Sequence, residues 1–462
     1  MARGWTDALS VSLAQETRPH RLASERPEPG RLLADASVVA LLGWWATSLT
    51  WGTGGREPHV LSVACLLLVV ATVLVRPATV LGDRFLVLVH AVPVAALGVC
   101  LLAPTGLAGL HEAASYSLAA LAVPVLLVWA DGPVRRSLLA GSVLAAGGAQ
   151  FAQGWLPWWG GQDVTDLFQG TFYWHNQVGI FLAVAAVLGL GVVAHGGPLR
   201  LLGWVTVPLC VAGTLFTGSR GSQLALLIGA AVVLALAGRW RDLAPRARVV
   251  CVLLLGWSTA WVLTGPPFFP ERVAPTAATE ARAGSFVGNG VTRFEDWWAA
   301  VQIWAEWPLT GPGFYSFRAA TEVVGVGDRE GRTAFVHNGF LQAFSDGGLL
   351  LGLPVTVLVL ALAWRVLRGA RSLPTDGDPL RLGGAAALLA LGLHSGMDFD
   401  WAYPALLAMT ALVGVLALRP GEGRVAPRGT RGAWAWTALA VGLLLVGAVG
   451  AWDGGLSVNA AV

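Results

Sequence analysis

About 13 apolar runs, each near the roughly 20 residues needed to cross a bilayer, begin close to Ala36, Val60, Phe85, Ala114, Ser137, Gln177, Leu201, Gly221, Val249, Gly348, Leu382, Ala402 and Trp434. A chain patterned this way is expected to be an all-α, polytopic integral membrane protein with 12–13 transmembrane helices. Its charge content agrees: 12% of residues are charged, against roughly 25% in ordinary globular domains. The pattern breaks once, at residues 266–347, a long polar stretch of the kind in which a membrane-embedded chain keeps its chemistry. The expected organisation is a cytoplasmic N-terminal tail at 1–31, transmembrane helices 1–9 over 32–265, an extracytoplasmic catalytic loop at 266–347, and helices 10–13 over 348–462. The tail carries Arg3, Arg18, Arg21, Arg26 and Arg31 and no apolar core near its start, so it does not read as a cleavable signal peptide.

The chain contains no lysine, and all 30 basic residues are arginine. Cytoplasmic loops carry the excess of positive charge. With the N-terminus inside, Arg76 and Arg84, Arg135 and Arg136, Arg200, Arg239 to Arg248, Arg365 to Arg381 and Arg419 to Arg431 all fall on the cytoplasmic side. The same threading sends Trp155 to Asn176, the Ser219-Arg220-Gly221 turn, the 266–347 loop and Met397 to Trp401 to the opposite face. Trp155, Trp158, Trp159 and Trp174 suit an interfacial aromatic belt. Pro93, Pro124 and Pro354 are expected to kink their helices. Cys65, Cys100, Cys210 and Cys251 read as small core residues, with no disulfide and no metal site. A net charge of +3 argues against nucleic acid as a partner.

Within the loop, Thr292 and Glu295 form a capping-box pattern, and Phe294, Trp298, Val301 and Trp304 follow at helical spacing. This predicts an amphipathic helix running to about Trp307. A second is expected over Phe335 to Phe344, leading into Asp346-Gly347-Gly348, with both helices on the membrane surface.

Several residues on that face have chemical potential. Arg220, between two apolar runs, is costly unless it meets an anion or water. The following helix start, with Ser219, offers unpaired N–H groups to the same anion; snorkelling to lipid phosphates would also account for Arg220. Arg293 is expected in the first turn of the capped helix, where the dipole disfavours a cation unless an anion is near. His337, on the second amphipathic helix, titrates near neutrality and can take a proton from a hydroxyl, with Asn338 to orient it. His175-Asn176 repeats the dipeptide on the same face. His394 and Asp398 share a helix face, with Asp400 following, and suit a histidine–carboxylate pair or contacts to sugar hydroxyls.

Taken in order, Gly218-Ser219-Arg220-Gly221, Arg293-Phe294 with Trp297, Trp307-Pro308-Leu309 with Gly311 and Gly313, His337-Asn338-Gly339 with Leu341-Gln342, and Asp346-Gly347-Gly348 resemble the O-antigen ligase and polymerase superfamily of bacterial membrane proteins. The resemblance covers roughly residues 170–415. Asp346 stands where that family's Glu-x-Gly element would have glutamate. The resemblance implies a metal-independent glycosyltransferase of the C-type (GT-C-like) architecture, without a cofactor, in the bacterial inner membrane. Such an enzyme takes a glycan from an undecaprenyl diphosphate carrier at the extracytoplasmic face. By matching motif, Arg220 and Arg293 would bind the diphosphate and His337 would act on the acceptor hydroxyl. Ser219, Asn338, His175, Asn176, His394, Asp398 and Asp400 would line the substrate site. The acceptor could be lipid A core, a protein, or a second lipid-linked glycan, the last making a polymerase. A transporter or flippase for lipid-linked glycan is the rival from another class. Transporters, however, keep their polar groups near the bilayer midplane.

Overall fold

The structure is a computed structural model that describes residues 29–159, 168–172, 174–195, 197–237, 243–264, 286–326, 335–370, 372–373, 378–421 and 430–459. Most of the expected N-terminal tail, residues 1–28, lies outside the described residues, as does 265–285 of the long loop. Regular structure among the described residues is helical. The α-helices are α1 (Pro29–Trp44), α2 (Pro58–Val75), α3 (Asp83–Leu102), α4 (Leu110–Trp129), α5 (Pro133–Trp159), α6 (His175–His195), α7 (Arg200–Phe216), α8 (Arg220–Leu236), α9 (Leu243–Thr264), α10 (Phe286–Glu306), α11 (Phe317–Val323), α12 (Gly339–Ala370), α13 (Pro379–Ser395), α14 (Pro404–Ala417) and α15 (Thr430–Asn459). All except α10 and α11 coincide with the apolar runs. Eight are long and apolar enough to cross a membrane.

Local sequence sets these boundaries. Pro58, Pro379 and Pro404 occupy first-turn positions, where a missing N–H costs nothing. Asp378 caps α13 by accepting from the Leu380 and Arg381 amides at 3.0 and 3.2 Å. Ser219 caps α8 through the Ser222 amide at 3.3 Å. α14 has only 14 residues, roughly 21 Å of helix, which is short of the bilayer core. It is buried along nearly its whole length, so protein rather than lipid surrounds it.

α6 is the axis of the bundle: its apolar window is fully buried, and α5, α7, α8, α9 and α13 pack around it. Its crossing with α13 depends on glycine. A Cβ on Gly191 would sit 2.6 Å from the Pro379 carbonyl oxygen, and one on Gly383 would run into the carbonyl of Leu188, so the two backbones approach as closely as small residues allow.

The two ends of the bundle differ. At one end, arginines donate to the last carbonyls of helices: Arg136 to Leu416 at 2.6 Å, Arg381 to Gly369 at 2.8 Å, Arg248 to Ala194 at 3.0 Å, and Arg246 to Leu234 at 3.0 Å. The opposite end gathers the starts of α4, α6, α8, α12 and α14 and the end of α13, together with α10 and α11. The two end groups match the division that arginine bias drew.

The loop helices differ from expectation. α10 begins at Phe286, so Thr292 lies inside it and does not cap it; Arg293 is therefore clear of the unfavourable first turn. α12 begins at Gly339, which leaves His337 in the segment before the helix. The start of α12 is docked into the protein rather than laid on a surface, with Gln342, Ser345 and Asp346 buried. α10 does have two faces: Ala299, Ala300 and Ile303 pack against Phe317, Ala320 and Val336, while Val291, Phe294 and Trp298 are exposed, as suits a helix lying on a membrane surface. Pro93, Pro124 and Pro354 lie inside α3, α4 and α12. The non-helical break in α12 is instead at Gly348, whose φ of 56° lets residues 308–313 dock, with the Leu349 amide donating to the Pro308 carbonyl at 2.8 Å. Cys65, Cys100 and Cys210 are buried, but Cys251 is exposed on α9 and is no core residue.

Candidate functional site

The segment between α13 and α14 places Asp398 at the centre of the polar end. Its side chain is 1% exposed, and five donors converge on it. Oδ2 accepts from Asn176 Nδ2 at 2.8 Å and Arg293 Nη2 at 3.2 Å. Oδ1 accepts from the Phe399 amide at 2.9 Å and Gln177 Nε2 at 3.2 Å, and faces His337 Nδ1 at 3.3 Å. Burial alone would raise this carboxyl. The hydrogen bond to His337, with His394 and Arg293 adding to it, more than offsets that and holds it well below the usual carboxylate range.

Arg293 thus reaches from α10 to the α13–α14 segment, where it also donates from Nη1 to the Met397 carbonyl at 2.7 Å. The anionic partner expected for this arginine is a protein carboxylate. His337 comes from the other part of the long loop. Its φ is 54°, a left-handed conformation uncommon for a residue with a Cβ. Trp297 Nε1 donates to its carbonyl at 3.1 Å, and its ring lies edge-on to Phe399 at 5.0 Å between centres. Asn338 then serves as N-cap of α12: Oδ1 accepts from the Leu341 amide at 3.0 Å while Nδ2 donates to the Gly396 carbonyl at 2.9 Å. An ionised carboxylate only accepts, so the proton on His337 is assigned to Nδ1, leaving the Nε2 lone pair free.

A second layer lies beneath. His394 Nδ1 faces Asp400 Oδ2 at 2.8 Å, and Ser395 Oγ donates to the same oxygen at 3.0 Å. His394 Nε2 is 3.2 Å from Ser222 Oγ, which donates to the Asn176 carbonyl at 3.1 Å. The result is a buried histidine–carboxylate pair under the first turn of α8. Gly221 packs directly on the His394 ring.

Arg220 opens α8 beside this pair. It is exposed and makes no hydrogen bond or ion pair among the described residues. The three expected reaction-centre residues are therefore linked through the framework. Asp398 joins Arg293 and His337, and Asn176 joins Asp398 to the helix start that carries Arg220. Ser219, His394, Asp398 and Asp400 are buried, with their polar atoms engaged by protein groups. His175 packs its ring against Trp174 at 5.2 Å. Gln177, Ser222 and Ser395 also belong to the network, although in the sequence they are single polar residues at the edges of apolar runs, with no motif around them.

Among the described residues no group of three or more His, Cys, Asp or Glu side chains is arranged to hold a metal ion. Residues 205–356 match the family model described as O-antigen ligase. No curated protein matches the chain. The matched segment contains Ser219, Arg220, Arg293, His337 and Asn338; Asn176, His394, Asp398 and Asp400 meet it from outside.

Proposed function

From the premise that a chain carrying the O-antigen ligase domain over residues 205–356 belongs to the O-antigen ligase and polymerase superfamily, we propose that it transfers a glycan from an undecaprenyl diphosphate carrier to an acceptor hydroxyl. The observation that supports this reading most is the Arg293–Asp398–His337 link, with Arg220 unpaired nearby. Asp398 fixes the His337 tautomer and turns the Nε2 lone pair toward the open side, where it can take the proton of an attacking hydroxyl. Arg220 and the N–H donors left on Arg293 face the diphosphate, whose charge grows as the glycosidic C–O bond breaks. Two guanidinium groups can stabilise that leaving group without a metal ion. Attack from the face opposite the diphosphate inverts the anomeric centre.

In this reading Asp398, Asn176 and Gln177 position the reacting side chains, and the His394–Asp400 pair fixes the turn that presents Arg220. The polar end faces away from the cytoplasm in the bacterial inner membrane, and 286–326 with 335–347 are the described parts of an extracytoplasmic catalytic loop beside a membrane-level site. The acceptor is a glycan, lipid or protein. Purified full-length protein with a lipid diphosphate-linked glycan, candidate acceptors and EDTA should form product, whereas His337→Ala should lose it by roughly 10²- to 10⁴-fold. Retained transfer by that variant removes His337 as base. Movement of labelled lipid between leaflets of liposomes, with no product formed, would establish transport instead.

A further inference from the structure

One polar cluster at the same end takes no part in these contacts. Arg56, in the turn between α1 and α2, donates from Nη2 to Tyr315 Oη at 3.1 Å. Its guanidinium lies 5.6, 5.5 and 5.7 Å from the ring centres of Tyr315, Phe335 and Tyr403. Glu112 lies beside it, with its Oε1 3.2 Å from His111 Nδ1 and its buried Oε2 without a hydrogen-bond partner among the described residues. The other nitrogen of this buried histidine has no hydrogen-bond partner among the described residues. Burial, with Glu112 adding to it and Arg56 opposing, raises the Tyr315 hydroxyl above the ordinary phenol range. Tyr315 therefore keeps its proton and accepts from Arg56.

The backbone here is unusual as well. Thr53, Tyr315 and His337, in three separate segments around the cluster, all have positive φ, at 51°, 59° and 54°. Strain of this kind persists where the surrounding structure enforces it, and it concentrates at functional sites. The cluster also adjoins the reaction centre: Phe335 stacks on Phe399 at 4.6 Å, and Phe399 meets His337 at 5.0 Å. Arg56 is thus three ring contacts from His337.

The chemistry of the group narrows its ligand. Among the described residues, only one of the five N–H donors of Arg56 is used. A guanidinium beside a carboxylate can hold the neighbouring hydroxyls of a sugar, one donating and the other accepting. The half-buried rings of Tyr315 and Phe335 offer an apolar surface to its C–H face. The adjacent carboxylate of Glu112 disfavours a phosphate, so the match is to a neutral ligand. We propose that Arg56, Glu112 and Tyr315 form a subsite for a neutral sugar residue of the acceptor, next to the residue whose hydroxyl is attacked. This assignment rests on the glycosyl-transfer reading above.

The test is saturation-transfer NMR on the full-length protein in detergent, with the methyl α-pyranosides of glucose, galactose and mannose as probes and inorganic phosphate as competitor. At least one pyranoside should receive saturation from the protein. Binding should weaken roughly ten- to hundred-fold in Arg56→Ala, the loss of a charge-assisted contact, and less in Tyr315→Phe, which keeps the ring. Arg318→Ala, exposed on α11, should bind as the parent does. Thermal unfolding of each variant separates lost binding from lost folding, and Tyr315→Phe remains informative if Arg56→Ala unfolds. Equal binding in both variants, no saturation of any probe, or displacement by phosphate would overturn the subsite. Release of lipid diphosphate from the donor is measured in parallel. Donor cleavage without pyranoside binding removes the subsite alone; pyranoside binding without any donor cleavage removes the transfer reading.

Discussion

Changing Asp398 to asparagine keeps the shape of the side chain and removes its charge, which makes it the most direct probe of the site. Two donors converge on Oδ2 and three on Oδ1. Whichever way the new amide is turned, its nitrogen faces at least two other donors. Breaking a buried ion pair from one side costs about 3–5 kcal/mol. Arg293 is 32% exposed, so solvent screening reduces this to about 2 kcal/mol. In a chain of this size such a loss lowers the unfolding temperature by no more than about 5 °C. Because the native carboxyl is held below its ordinary value, its contribution is complete above about pH 4 and is lost as pH falls further. Thermal unfolding in detergent should therefore show a constant gap between parent and Asp398→Asn from pH 7 to about pH 5, narrowing below about pH 4. Glycan transfer should fall by roughly 10²- to 10⁴-fold, as it does when the residue orienting a catalytic histidine is neutralised. Equal unfolding temperatures, or a gap that already closes between pH 7 and pH 5, would refute the reasoning.

Arg220→Ala should leave stability within about 0.5 kcal/mol, since the side chain is exposed and has no partner among the described residues. Donor turnover should nevertheless fall roughly 10²- to 10³-fold, with only partial recovery in Arg220→Lys because lysine lacks the planar fork; a destabilised variant with normal turnover would argue for a structural role. Gly383→Leu forces a side chain into the carbonyl of Leu188 at the α6–α13 crossing. It should abolish a monodisperse peak on size-exclusion chromatography, and a well-behaved variant would mean that the crossing can open.

The sequence pattern located thirteen helices, eight of them long and apolar enough to cross a membrane, because an apolar run is a strong and local signal. α10 was misplaced at its start because Thr292 and Glu295 satisfy a capping pattern that helix continuation from Phe286 overrides. His337 was placed on a helix because the helical spacing of Phe335 to Phe344 cannot reveal one residue turned to positive φ. The identity of Arg220, Arg293 and His337 as polar residues set against apolar surroundings was legible. Their linkage was not: it runs through Asp398, contributed by a segment about 60 residues beyond His337, and single residues such as Gln177 and Ser222 carry no pattern. The sequence marks Asp398 and Asp400 as candidate ligands for sugar, but a sequence cannot show that protein donors already occupy a carboxylate.

The arginines at the other end of the bundle donate to the final carbonyls of α6, α8, α12 and α14. In the proposed orientation these are also the charges that keep their loops inside the cell during insertion. One set of side chains therefore serves two different processes: the direction in which the nascent chain threads through the bilayer, and the closure of its helices once it is there. Neutralising Arg136 or Arg381 would disturb both together. A topology reporter applied to such a variant would then be reporting on a helix end that has lost its cap as well as on a changed charge balance.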